Sequence, residues 1–175
     1  MRTLTDQLAN YAAYHRDRRN IATHFIGVPM IVLAVTVLLS RPSFSLGALT
    51  LNPAWIVALL AALFYLRLSL GLGAVMSALL AVAVAVAAPV AAQSTDVWLS
   101  WGIGLFLLGW VIQFVGHWYE GRKPAFVDDL IGLLIGPLFV VAEFAFLLGF
   151  AHELKRDIEA RVGSTRIGPA GGLTP

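Results

Sequence analysis

The sequence predicts an all-α, multi-span membrane bundle of four to five transmembrane helices led by an N-terminal interfacial amphipathic helix. Composition is the first ground: 59% of the 175 residues are apolar and 13% are charged, roughly half the charged share of a soluble domain. The placement of the charges is the second, because the runs 20–40, 42–66, 68–95 and 97–119 contain no Asp, Glu, Lys or Arg. Those runs are 21, 25, 28 and 23 residues long, and about 20 apolar residues carry a helix across the hydrocarbon core. No Cys is present, which excludes disulfides, thiolate metal sites, cysteine nucleophiles and iron–sulfur clusters. The net charge of +2 is spread over short flanking segments. That pattern excludes nucleic acid and points to membrane lipid head groups.

In residues 1–20, Leu4, Leu8, Tyr11 and Tyr14 recur at helical spacing among Asp6, Arg16 and Arg18, the pattern of a helix lying at the interface. The segment is too long and polar for the head of a cleavable signal, so the first span is read as retained. That span runs from about His24 to Ser40 and stops at Arg41-Pro42. The second begins near Pro53, a favoured first helical position, and reaches about Leu70, with Arg67 able to snorkel to the head groups. Gly71 and Gly73 predict a tight reversal. The third ends near Ala88, before Pro89 and the loop Gln93-Ser94-Thr95-Asp96. The fourth covers about Val97 to Val115, with Trp98, Trp101, Trp118 and Tyr119 where interfacial aromatic belts fall. Residues 130–150 are apolar but hold Gly132, Gly136, Pro137 and Glu143, so they read as either a kinked fifth span or a re-entrant segment. Residues 1–162 form a single integral-membrane domain on this reading, and 163–175, rich in Gly, Pro, Ser and Thr, a disordered tail.

Lys and Arg counts put the N-terminus in the cytoplasm: four basic residues precede the first span, and Arg67, Arg122 and Lys123 share their side. Four crossings then return the chain to the starting face, so His24 and His117 share it. Asn20 and His24 are four apart, and Gln113, His117 and Glu120 are spaced i, i+4 and i+7, so each set lies on one helix face. Imidazole, carboxylate and carboxamide converging in an apolar protein suit Fe(II), Mn or Zn, with neighbours orienting the ring nitrogens. Two interfacial His bonded to backbone or phosphate is the blander alternative. His15 precedes His24 by nine residues and on one straight helix would point about 180° away; a bend within Arg16–Asn20 would bring it in. His152, in the charged run after the last apolar segment, is read as solvated. Glu143, an acid in mid-segment, is either functional or bonded to a neighbouring helix.

The strings YHRDRRNIATHFIGVP (14–29) and QFVGHWYEGRKPA (113–125) resemble the two signature blocks of the 2-hydroxy fatty acid dioxygenase family, and Pro137 with Glu143 resembles its closing segment. The resemblance covers about residues 5–150. It implies a non-haem Fe(II) membrane enzyme that uses O2 to shorten 2-hydroxy fatty acids by one carbon, the α-oxidation that the family's fungal member performs in phytosphingosine breakdown. Carried over, it implies His15, His24 and His117 as iron ligands and catalytic roles for Asn20 and Glu120, as ligand or as a group orienting one. Arg122 and Lys123 are the favoured anchors for a substrate carboxylate, and Gln113 and Glu143 are candidates for orienting the ligands. The location would be the inner membrane of a bacterium or the endoplasmic reticulum of a eukaryote. A b-type haem protein with axial His24 and His117, or a transporter built around Glu143, are the alternatives. A di-iron membrane desaturase or hydroxylase would, by resemblance to those families, need about eight His, and the four present rule out that pattern.

Overall fold

In the computed structural model, residues 3–47 and 49–168 are described; residues 169–175 of the expected tail lie outside them. The chain is helical almost throughout, in the order α1 (Leu4–Ala12), α2 (Arg18–Ser40), β1 (Phe44–Leu46), β2 (Leu49–Leu51), α3 (Pro53–Leu68), α4 (Leu70–Ala91), α5 (Thr95–Glu120), a 3₁₀ turn at Ala125–Val127, α6 (Gly132–Leu147) and α7 (His152–Val162). Two compact units divide it: Met1–Val28 with Val111–Pro175, and Pro29–Trp110.

Among the described residues, three helices are long and apolar enough to cross a membrane: α2, α4 and α5. The pair α6 and α7, bent by 115°, brings the number to four if it counts as one broken span. α3, at 16 residues, is apolar but short. Leu60, Leu63, Val82, Leu107 and Val111 are more than half exposed, as lipid-facing side chains are.

In the unit Pro29–Trp110, α3 starts where expected: the Asn52 side chain accepts from the Trp55 amide and Pro53 occupies the first turn. The reversal into α4 sits at Ser69, which caps α4 by accepting from the Leu72 amide at 3.3 Å. Gly71 and Gly73 are therefore inside α4 instead of forming the turn. Gly73 serves close approach: a Cβ there would lie 2.6 Å from the Leu66 backbone, so the antiparallel α3–α4 pair packs backbone to backbone. The short β1–β2 hairpin, in register Phe44↔Leu51, was not expected, since three-residue strands carry too little alternation to read.

In the other unit, the amphipathic stretch 1–20 is broken. α1 opens with a reciprocal box in which Asp6 N donates to Thr3 Oγ1 at 3.2 Å and Thr3 N to Asp6 Oδ2 at 2.9 Å, the capping-box arrangement. It ends at Ala12, and residues 13–17 turn the chain before α2. The bend that His15 requires thus exists, slightly earlier than Arg16–Asn20. Residues 163–168 also depart from the disordered tail expected of their composition. Arg18 N donates to Arg166 O and Arg166 N to Arg16 O, both at 2.8 Å, and Gly168 N reaches Asp17 Oδ2 at 2.9 Å. Composition says nothing of such pairing, because most of the partners are backbone groups.

Candidate metal centre

The centre is built where the 13–17 turn, the first turns of α2 and the last turns of α5 meet. Close approach of the two helices is possible because Gly116 has no side chain: a Cβ there would collide with Thr23 Oγ1 and Asn20 Oδ1. His15, His24 and His117 come together in the space so made. All three are buried, and their ligand atoms lie within 4.8 Å of one another. Ring centroids are 4.4 Å apart for His15–His24, 4.9 Å for His15–His117 and 5.2 Å for His24–His117.

The hydrogen bonds determine which nitrogens are free. His15 Nδ1 donates to Tyr11 O at 2.7 Å and His24 Nδ1 to Asn20 O at 2.9 Å; a carbonyl only accepts, so each Nδ1 carries the hydrogen. Both Nε2 atoms are then lone pairs, yet they face each other at 3.0 Å. Two lone pairs at that distance repel. A proton shared between them would make a cation of one ring, and burial together with the neighbouring imidazoles holds the His15 pKa well below the ordinary histidine range. The buried His117 Nδ1 has no hydrogen-bond partner among the described residues. A metal ion resolves the conflict: two nitrogens bound side by side to one ion at about 2.0–2.1 Å sit about 3 Å apart. The donor set fits a divalent transition metal. The Tyr11 ring stacks on His15 at 4.2 Å and 5°, fixing its plane.

Behind the imidazoles lies a buried carboxylate. Glu120 Oε2 accepts from the Asp17 amide at 2.7 Å and from Asn20 Nδ2 at 3.2 Å, while Oε1 faces Arg166 Nη2 at 3.5 Å. Asn20 Nδ2 also reaches Tyr14 O at 3.2 Å. Glu120 thus ties α5 to the turn bearing His15 and to the residue whose carbonyl holds His24.

Two comparisons bear on this arrangement. The family described as 2-hydroxy-palmitic acid dioxygenase Mpo1-like matches residues 1–148. The chain belongs to the Mpo1-like family. It is also 34% identical, over 162 residues covering 89% of it and 87% of the relative, to a Saccharomyces cerevisiae protein named 2-hydroxy-palmitic acid dioxygenase MPO1. No solved structure matches.

In this Mpo1-like chain the structure brings His15, His24, His117, Asn20 and Glu120 together, and Gln113, one turn before His117, is buried on the same helix. The other expected residues lie apart. Glu143 faces Arg16 Nη2 at 3.7 Å, and His152 is exposed at the start of α7. Arg122 donates to Ala13 O at 3.0 Å and Lys123 to Asp128 at 2.6 Å. Sequence reasoning missed Tyr11 and Asp17. The spacing of Tyr11 four residues before His15 was a readable sign of the stack; nothing in the sequence marks the Asp17 amide as a donor to Glu120.

Proposed function

We propose that the protein is a single-domain Fe(II)-dependent dioxygenase that shortens 2-hydroxy fatty acids by one carbon at the cytoplasmic face of its membrane. The observation that carries this reading is the pair of opposed Nε2 lone pairs on His15 and His24, with His117 beside them, which calls for a cation. The name of the yeast relative supplies the substrate class and the reaction class. Fe(II), when bound, supplies the reaction with O2 that breaks the C1–C2 bond. Converting a 2-hydroxy acid to CO2 and the acid one carbon shorter removes four electrons, which one O2 accepts, so no further reductant is required.

The chain's own part is positional. His15, His24 and His117 would hold the ion, and it would supply the chemistry at the substrate's 2-hydroxyl end. The Tyr11 and Asn20 carbonyls keep the His15 and His24 protons on Nδ1, and Glu120 and Asn20 fix the turn that carries His15 and the start of the helix that carries His24. Arg122 and Lys123, in the exposed loop after α5, are the cations an incoming carboxylate passes first before it moves inward. A b-type haem is disfavoured, since three rings with centroids 4.4–5.2 Å apart leave no slot for a macrocycle.

Metal analysis of anaerobically purified protein, followed by O2 consumption on 2-hydroxypalmitate, tests the reading. Iron near one equivalent, with O2 uptake that palmitate fails to support, is the expected result. Uptake independent of iron, or a haem absorption band, would sink it.

A further inference from the structure

A second feature of the unit Met1–Val28 with Val111–Pro175 lies outside the metal centre. A cavity of about 380 Å³ opens between α2, α6 and α7, within the roughly 300–1,000 Å³ of small-molecule sites. One wall is apolar, with Ile21, Phe25, Phe146 and Ile158, and the other carries Arg16, Arg18 and Lys155 against Glu143 and Glu159. Ile21 and Phe25 each follow Asn20 and His24 by one residue, about 100° around the helix, so the cavity runs along the face of α2 next to the one that builds the centre.

Arg16 sets its chemistry. The side chain is 3% exposed, and three of its contacts are structural: Nε donates to Ala12 O at 2.8 Å and His15 O at 3.1 Å, and Nη1 to Gly163 O at 3.0 Å. Nη2 is buried with no hydrogen-bond partner among the described residues. Its nearest opposite charge, Glu143 Oε1, stands at 3.7 Å, beyond hydrogen-bond distance. A buried guanidinium N–H left unpaired is costly, and a carboxylate is its best match. Arg122 and Lys123, by contrast, already have protein partners.

We propose that this cavity receives the head and first methylenes of a single-chain fatty acid, its carboxylate pairing with Arg16 Nη2 beside Arg18 and Lys155 and its tail lying along Ile21, Phe25 and Phe146. The proposal deepens the dioxygenase reading and rests on it for the direction of the tail and the 2-hydroxyl, but the binding step needs neither iron nor O2. Arg16 follows His15 directly and bonds its carbonyl, so the anchor is rigidly linked to the centre.

The test is equilibrium binding of radiolabelled palmitate to the full-length protein in phosphatidylcholine nanodiscs without O2. Palmitate lacks the 2-hydroxyl and is no substrate. Saturable binding is expected, weakened about ten- to hundredfold by Arg16→Gln and blocked by Ala22→Trp, which fills the cavity, while the Ala22→Trp variant keeps its metal. Should Arg16→Gln fail to fold, Ala22→Trp and Lys155→Gln carry the test. Wild-type affinity in the folded variants overturns the proposal, as does absence of saturable binding. Displacement of palmitate by a modest fraction of phosphatidylglycerol would overturn it too, assigning the cavity to a membrane lipid. Palmitate binding by a protein that holds no iron would leave the cavity assigned and remove the dioxygenase reading alone.

Discussion

The two compact units satisfy their polar groups over very different chain distances. Between Pro29 and Trp110 only Arg41, Arg67 and Asp96 are charged, and the hydroxyls turn back on their own helices: Thr36 to Val32 O, Ser40 to Thr36 O and Ser77 to Gly73 O, each at 2.7 Å. The other unit holds the remaining 19 of the 22 charged residues and the buried Gln7, His15, Arg16, Asp17, Asn20, His24, Gln113, His117 and Glu120. Its bonds join residues 100 or more apart, such as Asn20 with Glu120 and Asp17 with Gly168. In lipid, where water cannot complete a hydrogen bond, a local bond back to one's own helix makes a polar side chain replaceable. A bond made across the chain makes it a constraint on something else.

The contrast is broken most severely at the imidazoles. On the proposed reading no neighbour replaces His24, so His24→Ala is expected to lose both iron and O2 uptake. Ser77→Ala, in the apolar unit, should leave metal content, activity and thermal midpoint unchanged. An iron-replete His24→Ala variant would show that this residue is not a ligand.

Close packing gives the next largest effect, and α5 supplies its own control. Gly104 has open space where a Cβ would be, whereas Gly116 meets Thr23 and Asn20. Gly116→Ala should therefore cost about 1–3 kcal/mol of stability and weaken metal binding by separating His117 from His24. Gly104→Ala should do neither. Equal thermal midpoints for the two variants would contradict the close approach of α2 and α5.

Glu120 sharpens the comparison further, since its carboxylate acts entirely through distant groups. A glutamine there can accept from the Asp17 amide or Asn20 through its carbonyl but presents an N–H to Arg166. Iron should be retained with affinity or activity down about 10- to 100-fold. Complete loss of iron, under conditions that saturate the wild type, would instead make Glu120 a direct ligand.

What the sequence disclosed divides along the same line. The apolar helices were legible because hydropathy is a local property, and the shared face of His24 and His117 followed from counting crossings. The resemblance pointed to His15, whose approach depends on a turn at 13–17 that the helical spacing of Tyr11 and Tyr14 conceals. Glu120 was expected as a ligand or as a group orienting one; its hydrogen bonds go to the Asp17 amide and Asn20, while the Tyr11 and Asn20 carbonyls hold the His15 and His24 rings. Backbone donors and acceptors carry no signature in a sequence. The pairing of residues 163–168 with Arg16–Arg18 was hidden for that reason, and Arg122 and Lys123 looked free because their partners, Ala13 O and Asp128, come from the folded loop.

The smallest effect tests whether a long-range bond matters even at the exposed edge of the polar unit. Arg161 Nη1 donates to Asp6 Oδ1 at 2.7 Å, joining α7 to α1, and this bond, followed by the Thr3 amide, lowers the Asp6 pKa to about 2. The sign follows from the direction. A carboxylate whose folded pKa lies below its unfolded value of about 3.9 adds stability above that value and loses it as pH falls toward about 2. Asp6→Asn keeps an oxygen for the Thr3 amide, so the α1 cap survives and only the charge is lost. The pair is exposed and screened by salt, which limits its worth. Thermal midpoints of wild type and Asp6→Asn should therefore differ slightly at pH 7, converge as pH falls from about 4 to about 2, and converge likewise at pH 7 in about 1 M salt. A gap that persists unchanged in acid would mean that the Asp6 charge contributes nothing and that α7 is held to α1 by packing alone.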